Sequence, residues 1–348
     1  PALSAAGAAA SIAERLGLVE VRANAEITVA TARYQAGDRA GLDALHAAVE
    51  RCRQGKLIAL PRALQNLAHA VREEGDWVRS DALLAEASGD TTGGHTLATG
   101  YSGEAMRAYF AGDFPALLAA ADAFVDTPTG RWDMQVRGLR SCLRVLRDER
   151  PARPGDDDVD AALEIGRSSG FRRLHWTSLG ISALCRALEG RPCDAADLLD
   201  ELADSWCAVP ALASGEWIAA AGFAAALSGR NAAVRVRGML DQVRHETPWA
   251  QAARRTVTAA AAAADGDHDR AGQLYVAAAE VYALIPDTTD RMLALALAAG
   301  ELTRAGDRTP ADDVLTEVTS FAHRNGAPGL LRLARGAASA GAPPLLAS

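Results

Sequence analysis

The sequence predicts an all-α fold, an α-α superhelix of about eight helical hairpins, on three observations. Alanine is abundant and aromatic residues make up only 5% of the chain, a composition that favours helix over sheet. A glycine followed by Asp or Arg recurs after helix-patterned stretches at a nearly constant spacing. Small residues also recur at a fixed distance before each of these glycines. Repetition of this kind is typical of stacked helical hairpins.

The recurring glycine predicts the turn inside each hairpin. Seven such glycines lie 37 to 40 residues apart, with one double interval of 78: Gly37, Gly75, Gly112, Gly190, Gly229, Gly266 and Gly306. Asp148 stands where the missing eighth turn should fall. Glycine readily takes the left-handed conformation that ends a helix, and an Asp after it can cap the next helix. Each turn should therefore join the two helices of one hairpin.

Two positions relative to the turn test the repeat independently. Seven residues before each turn the residue is always small: Ala30, Ala68, Ala105, Ser141, Ala183, Gly222, Ala259 and Ala299. Five residues after seven of the turns it is small or aliphatic: Leu42, Ser80, Leu117, Ala195, Val234, Ala271 and Ala311. In the fourth repeat Arg153 falls on this second position, within a Pro- and Asp-rich stretch. That repeat should carry an insertion, with its second helix starting near Asp158.

These marks divide the chain into five segments. Residues 1–17 are expected to be an orphan second helix of a preceding hairpin, and residues 18–150 to hold repeats one to three and the first helix of repeat four. Residues 151–158 form the insertion, residues 159–335 the remaining repeats, and residues 336–348 a flexible tail. The orphan helix and the start at Pro1 predict a fragment of a longer protein, although removal of Met before Pro1 would look the same.

Residues 62–87 resemble a tetratricopeptide repeat (TPR). The matching positions are Asn66-Leu67-Ala68 at that family's Asn-Leu-Gly triplet, Gly75-Asp76-Trp77 at its turn, and Ser80 and Ala87 at its small packing positions, while Leu64 replaces the usual Trp. Residues 12–50 more specifically resemble the C-terminal helical-repeat arm of actinobacterial multidomain signalling ATPases and transcription regulators. This resemblance implies a cytoplasmic, TPR-like arm that binds a protein or peptide, with the ATPase outside this chain.

The resemblance also implies which residues face a ligand in the groove between repeats. They are Arg62, Asn66, His69 and Arg72 in the second repeat, Asn24 and Tyr34 in the first, and Met106 and Tyr109 in the third. Arg62 and Asn66 share one helix face and could hold a peptide carboxylate by charge-assisted hydrogen bonds. Thr28 departs from that family's carboxylate-binding pattern, and the alternative is that Arg62 and Arg72 are solvated charges. From the fourth repeat onward the equivalent positions are apolar (Leu184, Leu188, Phe223 and Leu227), so the groove there is expected to be apolar or filled.

Composition and motifs argue against several other classes of protein. A net charge of −8 disfavours direct nucleic-acid binding, and no apolar run is long enough to span a membrane. The five cysteines form no CxxC pair, which argues against a disulfide framework and a zinc site. The sequence has no P-loop or HExxH motif. It therefore predicts a chain without catalytic residues, metal or cofactor.

Two alternatives remain from other classes of function. Asp156, Asp157 and Asp160 form a DDxxD pattern, which in an all-helical enzyme could hold Mg²⁺ against a diphosphate substrate. The run follows Pro154-Gly155, so the same carboxylates could simply stabilise a helix start. The other alternative is a self-associating structural solenoid, a homo-oligomer formed through uncapped ends.

Overall fold

The computed structural model describes residues 2–88, 95–125, 133–149, 158–207, 215 and 217–336. Within those residues the protein contains 18 helices and no strand, which confirms the all-α prediction. Of the predicted insertion (151–158) and tail (336–348), residues 151–157 and 337–348 lie outside the described residues. None of the described helices combines the length and apolar character that crossing a bilayer requires.

The chain divides into two compact units. Unit 1 comprises the described residues of Pro1–Thr96, together with Gly215 and Gln242–Pro248, and unit 2 comprises the remaining described residues. The first five helices belong to unit 1: α1 (Ala2–Arg15), α2 (Val19–Gln35), α3 (Ala40–Gly55), α4 (Leu60–Glu73) and α5 (Trp77–Ser88).

The other thirteen described helices lie mainly or wholly in unit 2. They are α6 (His95–Ala111), α7 (Phe114–Val125), α8 (Asp133–Leu146), α9 (Asp158–Ser168), α10 (Arg172–Leu188), α11 (Pro192–Cys207), α12 (Trp217–Ser228), α13 (Arg230–Leu240), α14 (Pro248–Ala264), α15 (His268–Leu284), α16 (Thr288–Ala305), α17 (Arg308–Asn325) and α18 (Pro328–Ala334). The second helix of the fourth repeat, α9, starts at Asp158 as the sequence predicts.

The turns form as the sequence predicts. All seven recurrent glycines have positive φ, and Asp148, which replaces the eighth, has φ 58°. The side chains of Asp76, Asp113 and Asp267 each accept a hydrogen bond from the backbone N–H three residues on. They therefore cap the following helices, which is the role expected of an Asp after the turn glycine.

The small residues seven positions before the turns are buried, except Ser141, which is half-buried. The residues five positions after the turns are also buried, except Leu42, which is half-buried, and Val234, which is 57% exposed beside the buried Ala233. After each of the other six turn glycines, the next helix starts two or three residues later. Helix α13 instead starts at Arg230, directly after Gly229. The earlier start shifts the buried face of α13 by one residue, from Val234 to Ala233.

The helices of unit 1 pack in sequence, each against the next. Their shared core includes Ile27, Leu45, Leu64 and Leu67. Close packing in the first hairpin depends on Gly41, because a Cβ atom there would lie 2.3 Å from the backbone nitrogen of Tyr34. Unit 1 is therefore a row of neighbouring hairpins with one continuous core.

In unit 2 the first helix of each hairpin is central. Most residues of helices α10, α12 and α16 are buried, and α12 is apolar all round, as expected of a buried helix. Leu184, Leu188 and Phe223, which occupy predicted groove positions, are buried among them. In this unit the central helices themselves fill the space that those side chains line.

Helices from the two ends of unit 2 contact each other. The backbone N–H of Phe114 on α7 donates to Asn325 Oδ1 on α17 over 3.0 Å, and the rings of Phe114 and Phe321 meet edge to face at 5.4 Å. Gly329 on α18 packs on the backbone of Leu146 on α8. A solenoid has only nearest-neighbour contacts between repeats, so these long-range contacts make unit 2 more closely cross-connected than a simple row of hairpins.

Candidate functional site

Four polar residues of the first helices in unit 1 form one surface network, which we call the polar strip: Asn24 and Thr28 on α2, and Arg62 and Asn66 on α4. The Arg62 guanidinium donates to the carbonyl oxygen of Asn24 at 2.8 Å, to Asn24 Oδ1 at 3.1 Å and to Thr28 Oγ1 at 2.8 Å. Asn66 Nδ2 donates to the carbonyl oxygen of Arg62 at 2.8 Å. Three of the predicted groove residues are thus brought together.

The polar strip holds Arg62 in place while leaving it at the surface. Arg62 is exposed, and Asn24, Thr28 and Asn66 are half-buried. Its hydrogen bonds all go to neutral oxygens, so a carboxylate arriving there would offer a stronger, charge-assisted partner. Thr28 was read from the sequence as a departure from the carboxylate-binding pattern; in the structure it is a partner of Arg62. Its position one helical turn after Asn24 is the sequence signal that points to this role.

Tyr34 does not line an open groove, because its side chain is buried between helices of unit 1. Its hydroxyl lies 3.1 Å from the carbonyl oxygen of Ala70 and 2.9 Å from Glu74 Oε1. Glu74 Oε1 also lies 2.6 Å from His245 Nε2. Glu74 and His245 were not identified from the sequence, and their separation of 171 residues leaves no local signal for this contact.

The other two predicted residues of α4, His69 and Arg72, are half-buried. The Arg72 guanidinium lies over the Trp77 ring, 5.0 Å from its centroid, in a cation–π contact. Arg72 therefore packs against the start of the next helix instead of being a freely solvated charge.

Met106 and Tyr109 lie on α6 and are buried within unit 2. The Tyr109 hydroxyl donates to Asp290 Oδ1 at 2.6 Å, and the Tyr109 carbonyl oxygen accepts from Thr289 Oγ1. Burial raises the pKa of Asp290 to about 6, although its hydrogen bonds with Asp287 and Tyr109 act in the opposite direction. A ligand could reach Tyr109 only by separating α6 from α16, so a direct binding role for this residue stays a prediction.

Arginines bind the described carboxylates of the acidic run at residues 156–160, which leads into α9. Asp156 and Asp157 lie outside the described residues. Asp158 is buried, with its two carboxylate oxygens each 2.7 Å from a nitrogen of Arg140, and Asp160 Oδ1 lies 2.8 Å from Arg186 Nη2. In the part of the chain that the structure describes, no group of three or more His, Cys, Asp or Glu side chains could hold a metal ion. These ion pairs fasten the start of α9 to α8 and α10.

No protein-family model matches the chain, and no curated protein matches it significantly. The likeness to tetratricopeptide repeats therefore depends on the residues described above and on their placement in the helices.

Proposed function

We propose that the chain is a TPR-like solenoid module that binds a protein or peptide segment and has no catalytic residues of its own. It would serve as the sensor or scaffold arm of a larger, cytoplasmic ATP-dependent signalling or transcription regulator. The observation that supports this best is the polar strip. Helices α2 and α4, the first helices of successive repeats, both contribute hydrogen-bonding side chains to this one surface. A ligand in the groove would contact both repeats there.

A carboxylate on the ligand would bind by exchange of partners. It would replace the neutral oxygens of Asn24 and Thr28 at the Arg62 guanidinium, which exchanges neutral hydrogen bonds for charge-assisted ones. Because the strip already holds Arg62 in place, less side-chain entropy would be lost on binding. The expected partner is therefore a peptide with a free C-terminal carboxylate or an acidic side chain.

The experiment is a selection of peptides with free C-termini on the full chain, followed by titration of an enriched peptide and of its C-terminally amidated form. Arg62→Gln should weaken binding of the free acid at least 10-fold, and amidation should have a similar effect. Arg51→Gln is the matched control, because Arg51 also bridges two helices of unit 1, to Glu26 at 2.9 Å, away from the strip. Equal binding by the wild type and Arg62→Gln, or failure to enrich any peptide, would contradict the proposal.

A second candidate function is self-association with another copy of the chain. Five large apolar side chains are exposed around the junction of α1 and α2. They are Ile12 on α1, Leu16 and Leu18 in the turn, and Val19 and Val21 on α2. An apolar surface of this kind is a candidate interface, and a two-fold axis would bring the same residues of two copies together. Sedimentation of the wild type as a dimer, and of Leu16→Asp/Val19→Asp as a monomer, would support it; a monomeric wild type would exclude it.

A further inference from the structure

Unit 2 contains a cavity of about 250 Å³ between α12, α14, α15, α16 and α18. Its walls are mainly aliphatic and include Ala226, Leu227, Ala260, Ala263, Leu297 and Leu333. Because most of these side chains are short, the helix backbones leave space that larger residues would fill. The cavity is separate from the polar strip, which lies in unit 1.

One end of the cavity is polar, and its carboxylate is already paired. Glu301 Oε2 lies 2.7 Å from His268 Nδ1, and the Glu301 carboxylate also pairs with Arg304. Arg304 donates in addition to the carbonyl oxygen of Gly336 at 3.1 Å. Since the carboxylate already has two basic partners, a ligand needs no net charge to fit at this end.

Tyr275 also lines this cavity. Its side chain is 3% exposed, and its hydroxyl has no hydrogen-bond partner among the described residues. Burial raises the pKa of Tyr275 well above its ordinary value, the charge of Glu301 raises it further, and Arg304 opposes them. The hydroxyl therefore keeps its proton at neutral pH and remains a donor.

Two of the other buried tyrosines, Tyr34 and Tyr109, differ from Tyr275 in the hydrogen bonding of their hydroxyls. Both hydroxyls are hydrogen-bonded, to Glu74 and to Asp290 respectively. The Tyr275 hydroxyl has no such hydrogen bond in the described part of the chain and its oxygen is not fully buried, so it can donate to a molecule that enters the cavity.

We infer that this cavity binds a small, neutral, mainly apolar molecule whose single carbonyl oxygen accepts the hydrogen bond of the Tyr275 hydroxyl. The aliphatic walls would contact the apolar body, and because Glu301 is already paired with Arg304, the polar end favours a neutral ligand over an ionised one. A cavity of about 150 Å³ accommodates benzene, so the larger cavity here suits roughly ten non-hydrogen atoms. This inference is independent of the peptide-binding proposal.

The probes are acetophenone, which has nine non-hydrogen atoms and one carbonyl group, and ethylbenzene, which has the same ring and two-carbon chain without the oxygen. Each is titrated into the full chain and followed by amide chemical shifts. Acetophenone should bind saturably and shift amides of α14, α15 and α16. Tyr275→Phe should weaken acetophenone about 2- to 10-fold, the worth of one hydrogen bond, and change ethylbenzene less than 2-fold.

Two further variants make the result specific to the cavity. Tyr282→Phe removes another buried hydroxyl from the same helix, α15, and Tyr282 does not line the cavity; it should leave both affinities unchanged. Ala263→Leu fills the cavity from a half-buried position and should abolish binding of both probes in a chain whose helical circular dichroism is unaltered. No saturable binding of acetophenone, equal weakening of both probes by Tyr275→Phe, or binding that survives Ala263→Leu would each overturn the inference.

Discussion

At the scale of single residues, the polar groups inside this protein mostly serve to join helices. Arg140 binds Asp158 with two hydrogen bonds of 2.7 Å, Tyr109 binds Asp290, and Arg62 ties α4 to α2. A buried ion pair is costly to break because one charge is left without its partner. The same residue types that suggest a site in a sequence can therefore have a structural role. What distinguishes Arg62 is its exposure, because a ligand can reach it without moving a helix.

The pH dependence of stability should reveal the buried carboxyl of Asp290. Its pKa in the folded chain is about 6, above the ordinary value of 3.8, so the folded state binds the proton more tightly than the unfolded state. Its contribution to stability is complete below about pH 4 and is lost as the pH rises through about 6. At about 1.4 kcal/mol per pKa unit, the loss is on the order of 2–3 kcal/mol.

Asp290→Asn removes this titration and keeps an oxygen for the Tyr109 hydroxyl. Urea unfolding of both proteins at pH 4 and pH 7.5 measures the effect. The Asn variant should gain stability relative to the wild type as the pH rises, while Asp287, the nearest other carboxyl, is common to both proteins. A stability difference that does not change with pH would show that Asp290 titrates normally.

At the scale of helices and turns, the sequence pattern was informative because the decisive interactions are local. A residue with positive φ ends each first helix, and where Asp follows it, that side chain can cap the next helix within three residues. The turn at Asp148, which has no glycine, could be predicted from the spacing of the neighbouring turn glycines alone. The exposure of Val234 shows the limit of the repeat pattern, since a helix that starts one residue early rotates its buried face by about 100°.

The shifted register of α13 can be tested by placing an arginine at each of two neighbouring positions. Val234→Arg should leave thermal stability nearly unchanged, because Val234 is exposed. Ala233→Arg should lower the unfolding temperature strongly or prevent folding, because Ala233 is buried and a buried unpaired charge is costly. The opposite order of effects would mean that the register expected from the sequence is correct.

At the scale of the whole molecule, long-range contacts are what the sequence could not predict. The bonds from Phe114 to Asn325 and from Tyr109 to Asp290 join residues 211 and 181 positions apart. A repeat pattern indicates how adjacent hairpins pack against each other. It carries no information about which distant hairpins are in contact. The polar strip was partly predictable because its residues lie one repeat apart on equivalent helices. The Tyr275 cavity could not be predicted, because the alanines that line it have the same sequence pattern as alanines in closely packed helices.

Contact between the ends of unit 2 should couple their stabilities. Asn325→Ala removes the acceptor for the Phe114 N–H and should increase hydrogen exchange both in α7 and in α17, about 200 residues apart in the chain. Asn231→Ala, at an exposed site on α13, is the control and should change neither helix. Faster exchange confined to α17 would mean that the two ends of unit 2 are independent.

Hydrogen–deuterium exchange of the full chain, with and without the selected peptide, tests the proposed binding function most directly. Peptide bound at the polar strip should slow exchange in α2 and α4, the helices that carry Asn24 and Arg62, and its amidated form should give weaker protection at the same concentration. Protection confined to other helices, or unchanged exchange at saturating peptide, would contradict the assignment of the polar strip as the binding site.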